Sequence, residues 1–324
     1  MSNGKVYIVR RIDAAQLPAL SALAQVVSGS AWSNEDRLAA KFATHAFGAE
    51  FVGYLAYPPS ADGTIAPGTV PAAYYGVFPV AVRFGDHVVL AAQSGDTMTH
   101  PDHRGKGLFI DLAKRTYATA REEGVQFVFG FPNENSYPGF SRKLEWKFPY
   151  KMRAFNCLVP TIPVGFALRR LGRAPREFGA FARVLLGLFF ERVEPTDALW
   201  DSSGSTAGVV RDARMWAYKK MGTLFVRRGD VGLALKFDGD LSIGEIVGNP
   251  TAAEMVAIMR RLSIVAILIG AVRIKSYFSP GSRLERALAP FGRCTESLWF
   301  GFVTFVGMQD PSTLELAYLD YDTF

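Results

Sequence analysis

One stretch limits the folds open to this 324-residue chain more than any other. Val88-Val-Leu-Ala-Ala92 reads as an apolar strand, and the polar segment Thr99-His-Pro-Asp-His-Arg-Gly-Lys-Gly-Leu-Phe109 leads from it into a helical pattern running from about Lys106 to Glu123. A strand, a turn with two glycines and a helix start bring backbone N–H groups to one point, where Gly105 and Gly107 allow close approach of the main chain. Arg104 and Lys106 add positive charge at the same place. The combination predicts a phosphate or pyrophosphate site. Its residue order excludes the P-loop, which needs GxxxxGK[ST], and the dinucleotide fingerprint, which needs GxGxxG early in a βαβ unit.

Downstream, a strand at Gln126-Phe-Val-Phe-Gly130 is followed by Pro132-Asn-Glu-Asn-Ser-Tyr-Pro-Gly-Phe-Ser-Arg-Lys-Leu-Glu-Trp-Lys-Phe148. The two motifs, in this order, resemble the GNAT N-acyltransferases, whose acyl-coenzyme A pyrophosphate loop reads Arg/Gln-x-x-Gly-x-Gly/Ala. Arg104, Gly107 and their spacing carry the match, with Phe109 in place of the small last residue. Asn133, Asn135, Lys143, Leu144 and Trp146 fit the family's second motif, while Ser141 stands where the family often has tyrosine and Glu145 where it has glycine.

The resemblance implies acetyl-CoA or another acyl-CoA as acyl donor, held by Met98, Thr99, Arg104, Gly105, Lys106, Gly107, Leu108, Asn133 and Ser136. It implies Asp96 as the base that accepts a proton from the attacking amine, on the strand where the family keeps its carboxylate. Tyr137 would take over from Ser141 as the acid that reprotonates the departing thiolate. A backbone donor at the strand end 96–99 that polarises the acyl carbonyl would be worth about 3 kcal/mol. Each residue also has a plain structural reading. Asp96 can cap a turn after Gly95, Tyr137 can pack on the coenzyme, and Asn133 and Asn135 can cap the short helix. His100 and His103 can act as bases or face solvent. Asp320, Asp322 and Tyr318 can contact an acceptor or belong to a final strand.

Length predicts two domains, since one such domain fills about 150 residues. Hydrophobic residues at 49% and aromatic residues at 13% supply large cores and argue against disorder. Cys157 and Cys294 give neither a disulfide framework nor metal-ligand spacing. The N-terminus enters a strand-like Val6-Tyr-Ile-Val9 without a leader pattern, and the most apolar run, 264–272, is too short to span a bilayer, so a cytoplasmic protein with no membrane span is expected. The net charge of +6 suits a small polyanion such as coenzyme A or a nucleotide sugar. Acidic residues interspersed throughout argue against a nucleic-acid polymer.

In chain order, Asp13 caps a helix to about Val27, and Ser33 with Asp36 starts another to about Phe47. Strands at 48–57 and 72–83 flank a Pro/Gly/Ala-rich loop, Gly85-Asp86 turns a hairpin, and a strand from about Tyr150 to Val159 closes the first sheet. A basic, apolar helical stretch spans Val164 to Arg192. The second half then repeats the order: a helix at 207–221, strands at 223–228, 231–237 and 242–247, a helix at 251–262, a buried strand at 264–272, a helix at 281–290, and strands at 297–306 and 314–319. Where the first half has its basic glycine loop, the second has Gly248-Asn-Pro-Thr-Ala-Ala-Glu254.

The expected fold is therefore α/β, with tandem GNAT-like domains, each a mixed, mostly antiparallel central sheet flanked by helices. An acyl-CoA-binding domain covers 1–160, a linker helix region 161–195 and a degenerate copy 196–324. The segments 210–219 and 316–322 resemble parts of tandem-GNAT proteins that acylate nucleotide-linked amino sugars. That implies a primary amine of an amino sugar as favoured acceptor, with a peptide, an aminoglycoside or another metabolite amine as alternatives, and acyl-CoA binding without turnover as a further one.

Overall fold

The structure is a computed structural model and describes residues 6–29, 35–60, 62–161, 176–195, 200, 207–305 and 309–324. The chain opens with Ile8–Arg11 (β1), Leu17–Ser28 (α1), Glu35–Phe42 (α2), Val52–Tyr57 (β2), Ala73–Phe84 (β3) and His87–Thr99 (β4). Leu108–Glu122 (α3), Phe127–Gly130 (β5), Tyr137–Lys143 (α4) and Lys147–Leu158 (β6) follow. Next come Arg176–Phe189 (α5), Glu191–Arg192 (β7), Ala207–Val209 (β8), Ala213–Lys219 (α6), Leu224–Arg228 (β9), Val231–Phe237 (β10) and Leu241–Val247 (β11). Ala252–Ile269 (α7), Arg273–Phe278 (β12), Arg283–Leu288 (α8) and Arg293–Thr304 (β13) complete the helices and strands among the described residues. Among the described residues no helix is long and apolar enough to cross a membrane.

The chain divides into two compact units, one of residues 1–82, 86–149 and 300–310, the other of 83–85, 150–299 and 311–324. In the first, the sheet order is β1-β2-β3-β4-β5 followed by residues 301–304 of β13, with the β4–β5 pair parallel and the β13–β5 pair antiparallel. Strand β3 shows why this sheet is covered on both faces. Tyr75 and Val77 enter one core with Leu112, Ala113 and Phe140 from α3 and α4, whereas Tyr74 and Phe78 enter another with Leu20, Leu23 and Phe42 from α1 and α2. The two-residue period of a strand makes that separation.

In the second unit, residues 153–158 of β6 pair antiparallel with β12, β12 pairs parallel with β11, and β11, β10, β9 and β7 continue antiparallel. Leu233 and Leu235 pack under α5 and α7, and Ala234 faces Trp200, Trp216 and Phe225. Each unit is thus a mixed, mostly antiparallel sheet flanked by helices.

Several expected elements differ. The closing strand of the first sheet comes from 301–304, while 153–158 join the second unit's sheet. The expected helix at 207–221 is strand β8 followed by α6, because Asp212 caps the helix by accepting from the Met215 N–H. The helix at 251–262 and the strand at 264–272 are one helix, α7. No strand forms at 314–319. Two 3-10 turns, Pro311–Thr313 and Tyr318–Asp320, replace it, and Leu316 exchanges hydrogen bonds with Ser279 through its N–H and C=O. The expected helix from Ser33 to about Phe47 ends at Phe42 and is followed by a separate turn at His45–Phe47. Of the expected Val164–Arg192 helix, 164–175 lie outside the described residues.

Candidate active site

Strand β4 delivers the site residues. Its parallel ladder with β5 joins Ala91, Ala92 and Gln93 to Phe127, Val128 and Phe129 and ends there, while β4 continues to Thr99. Two parallel strands that part at their carboxyl ends open a crevice, the usual place for a ligand in such sheets. Three residues beyond the last pair, Asp96 takes a left-handed conformation, φ 52, inside the strand. One residue of that conformation in a strand re-aims its side chain and breaks the regular pairing. Asp96 thus lies within strand β4 and not in a separate turn.

The Asp96 carboxylate receives a hydrogen bond from the Lys41 ammonium of α2, and the two form an ion pair with side chains only 11% and 18% exposed. Met98 packs against the core that holds α1 and α2. The strand ends at His100, whose N–H bonds to the Ala72 carbonyl and whose Nδ1 accepts from the Asp102 N–H, which builds the turn Pro101–His103. His103 Nδ1 lies 2.8 Å from the Tyr7 hydroxyl. Burial, then the charges of Lys106 and His100, pull its imidazole below the ordinary value, against Asp102. Both histidines are thereby built into the loop framework.

The loop itself has the shape of an anion cradle. Gly105 and Gly107 adopt φ 73 and 77, and a Cβ on either would meet nothing within 4 Å. The positive φ demands glycine, and the face on which a side chain would stand is open. Gly107 is the N-cap of α3 and no side chain caps that helix, so the first intrahelical donors are Ile110 and Asp111, both to the Gly107 carbonyl. The N–H groups ahead of them point out of the helix end along its positive dipole. Arg104 and Lys106 are exposed beside these donors, and Leu108 turns into the core. Phe109 does not crowd the loop. Its ring lies 5.5 Å from Tyr75 and 5.2 Å from Phe140, in space that Gly139 provides, since a Cβ there would fall 2.8 Å from it.

Asn133 and Ser136 hold the entry to α4. Asn133 Oδ1 accepts from the N–H groups of Asn135 and Ser136 and from the Ser136 hydroxyl, forming an Asx turn. Tyr137 starts α4 half-buried, its ring centroid 4.6 Å from that of Phe148. Tyr318 and Asp320 belong to the second unit. Asp320 is fully buried and bonds the Arg211 guanidinium through both carboxylate oxygens, with Glu245 on the same guanidinium, so it has no surface for an acceptor.

Sequence reasoning missed two features. One is Lys41, which no spacing marks because the helix that carries it ends a polar stretch. The other is a buried hydroxyl chain behind the crevice. The Ser94 hydroxyl donates to Tyr75 Oη (2.9 Å), Tyr75 and Tyr117 share a hydrogen bond (2.7 Å), and Trp146 Nε1 donates to Tyr117 Oη (2.9 Å). Burial raises both phenols well above the ordinary range, so they stay neutral and act as hydrogen-bonding struts that tie β4 to α3 and to the start of β6. Tyr74 and Tyr75, set in an otherwise apolar run, and Tyr117 were the available signal.

Residues 70–148 match the family model described as acetyltransferase (GNAT) domain. No curated protein matches the chain by sequence. Among solved structures, a GCN5-related N-acetyltransferase from Kribbella flavida aligns at 17% identity over 93% of this chain and 72% of that one, with a TM-score of 0.54. Another, from Anabaena variabilis, aligns at 11% identity over 92% and 72%, with a TM-score of 0.53. A conserved protein of unknown function from Enterococcus faecalis aligns at 12% identity over 92% and 73%, with a TM-score of 0.56. At these identities the structures speak for the fold. The open glycine loop, the parted strands β4 and β5 and the matched segment coincide on the same residues, so residues 70–148 are similar to a GNAT acetyltransferase domain within a fold shared with the GCN5-related N-acetyltransferases, and this similarity supports N-acyl transfer as the enzyme class.

Proposed function

We propose that the chain transfers an acyl group, acetyl by default, from acyl-CoA to the primary amine of an amino sugar, free or nucleotide-linked. The observation that supports donor binding is the uncapped α3 terminus at Gly107 with Arg104 and Lys106 beside it. A coenzyme A diphosphate needs donors and positive charge at one point, and these residues supply both. Gly105, Gly107 and the N–H of Leu108 would hold the diphosphate, with Arg104 and Lys106 neutralising it. Met98 and Thr99 on β4, and Asn133 and Ser136 across the crevice, would line the arm that leads to the thioester. The bound donor supplies an activated acyl carbonyl, and all other parts of the chemistry belong to the chain. Asp96 orients an ammonium and accepts its proton, and Tyr137 is the candidate acid for the leaving thiolate.

The second unit reads as a degenerate copy without donor chemistry. Its corresponding helix start, at Thr251, is closed by a capping box in which Thr251 accepts from the Glu254 N–H and the Glu254 carboxylate accepts from the Thr251 N–H. A carboxylate already placed on the dipole competes with a phosphate there. The resemblance of 210–219 and 316–322 to tandem-GNAT proteins supports the amino-sugar acceptor, although Arg211 and Asp320 within them serve the core. The test is calorimetric titration with acetyl-CoA, followed by mass spectrometry of a panel of amines incubated with it. Binding with acetylation of amino sugars ahead of peptides and aminoglycosides is expected. Binding with preference for another amine class would remove the acceptor assignment, and absence of binding would remove the donor assignment too.

A further inference from the structure

Lys41 combines three properties that a surface lysine lacks. Its backbone is fixed, because the adjacent Phe42 is 1% exposed and stacks on Phe51 with ring centroids 5.1 Å apart. Its side chain is directed, with Nζ 5.8 Å from the centroid of the buried Phe78 ring and hydrogen-bonded to the Asp96 carboxylate. It is also covered without being sealed, at 18% exposure. The partner is the left-handed Asp96, about 10 Å along β4 from Thr99, where the strand gives way to the anion loop. An amine thus rests on the carboxylate proposed to receive the proton of the acceptor amine.

We propose that Lys41 is a self-acylation site, acylated by acyl-CoA held on the Arg104–Gly107 loop. The proposal rests on the acyl-CoA reading of that loop. In the reaction, the Lys41 ammonium loses a proton to Asp96, and the free Nζ attacks the thioester carbonyl carbon. A C–N bond forms and the C–S bond breaks, the coenzyme leaves as thiolate and takes up a proton, and a second proton leaves the nitrogen. Lysine ammonium and acyl-CoA become acyl-lysine, coenzyme A thiol and one released proton. The fixed geometry of amine and carboxylate supplies the proximity that makes an intramolecular acceptor compete with soluble ones. Acylation turns the ammonium into a neutral amide, so the ion pair between Lys41 and Asp96 is lost and the charge beside the base changes. Lys41 is in this sense a built-in substitute for the acceptor and a device that sets the state of the base.

The experiment incubates the full chain with isotopically labelled acetyl-CoA without acceptor and follows acetylation of every lysine by peptide mass spectrometry. Coenzyme A binding is measured in parallel by calorimetry. The expected result is one acetyl group on Lys41 ahead of the exposed lysines, including Lys106. Asp96→Asn should slow this labelling about 100-fold, the ordinary range of a general base, while binding of coenzyme A is retained. The double variant Arg104→Ala, Lys106→Ala should lose the selective labelling together with binding, and Lys41→Arg should bind coenzyme A with no label at position 41. Binding without preferential labelling of Lys41 would overturn this proposal and leave the acyl-CoA reading intact, as would an Asp96→Asn protein that labels at the parental rate. Failure of the parent chain to bind coenzyme A would overturn both.

Discussion

Gly107 carries a backbone conformation that the rest of the site depends on. At φ 77 it turns the chain from loop to helix, and a Cβ there would meet open space, so the cost of a side chain is conformational rather than steric. Gly107→Ala is expected to destabilise the fold by about 1–2 kcal/mol and to weaken acetyl-CoA binding, measured by thermal melting and calorimetry on the same sample. The glycine was legible in the sequence because its neighbours are charged and its position follows an apolar strand. Asp96 was legible only as a residue of interest. Its left-handed φ and its bond to Lys41 arise from a pairing 55 residues apart in the chain, which no local pattern records. Asp320 was left open between an acceptor contact and a final strand, and the fold makes it neither, since a buried guanidinium claims it. Arg211→Met leaves Asp320 buried without its guanidinium and Glu245 with Arg283 at 3.9 Å, and a loss of about 3–5 kcal/mol in denaturant unfolding is expected. A loss below 1 kcal/mol would show that the triad is solvated.

At the scale of elements, the strands of the second half were readable wherever apolar and polar residues alternate or the run is short and bounded. The turns at Gly229-Asp230 and at 238–240 bracket β10, and the expected strand at 231–237 is found there. Helix α7 was split in two because its last turns, Ser263-Ile-Val-Ala-Ile-Leu-Ile269, are apolar on nearly every side, and periodicity cannot separate such a run from a buried strand. Its ends were the better guide. Thr251 and Glu254 close one end, and Gly270 at φ 71 closes the other, with no breaker in the 18 residues between them. Removing the cap by Thr251→Ala should cost about 1 kcal/mol of stability, seen as a lower melting temperature with no change in acetyl-CoA affinity. The 314–319 segment alternates like a strand, with Leu314 and Leu316 buried, but its polar backbone is satisfied by Ser279 and by the Tyr150 hydroxyl, which donates to the Leu314 carbonyl. Isolated backbone and side-chain hydrogen bonds from distant elements replaced the ladder.

For the whole molecule, the α/β class followed from the succession of apolar runs and capped helices, and the return of 300–310 to the first unit did not, because nothing in an apolar strand names its partner. Both units share one chemical signature. Burial, as the largest cause, raises the phenols of Tyr75 and Tyr117 in the first unit and of Tyr150, Tyr318 and Tyr321 in the second above their ordinary value of 10.0. A phenol raised in the fold keeps its proton where the unfolded chain has lost it. Its stabilisation is complete below the unfolded value and is lost as pH rises above it, by about 1.4 kcal/mol per pH unit for each such tyrosine. Melting temperature should therefore hold to the approach of pH 10.0 and fall steeply beyond it, with phenolate absorbance appearing together with unfolding. Unfolding without a step in phenolate absorbance would mean that these rings titrate in the folded state.

The central claim is that the Arg104–Gly107 loop holds the acyl donor for transfer to an amine, and the most direct measurement is release of free thiol from acetyl-CoA in the presence of amino sugars. The parent chain should release thiol in step with acetylated sugar, and the double variant Arg104→Ala, Lys106→Ala should lose at least about 100-fold in kcat/KM, as expected when two charge-assisted contacts of about 1.5–3 kcal/mol each are removed. Equal thiol release by the parent and the double variant would contradict the account, because the donor would then be held somewhere other than this loop.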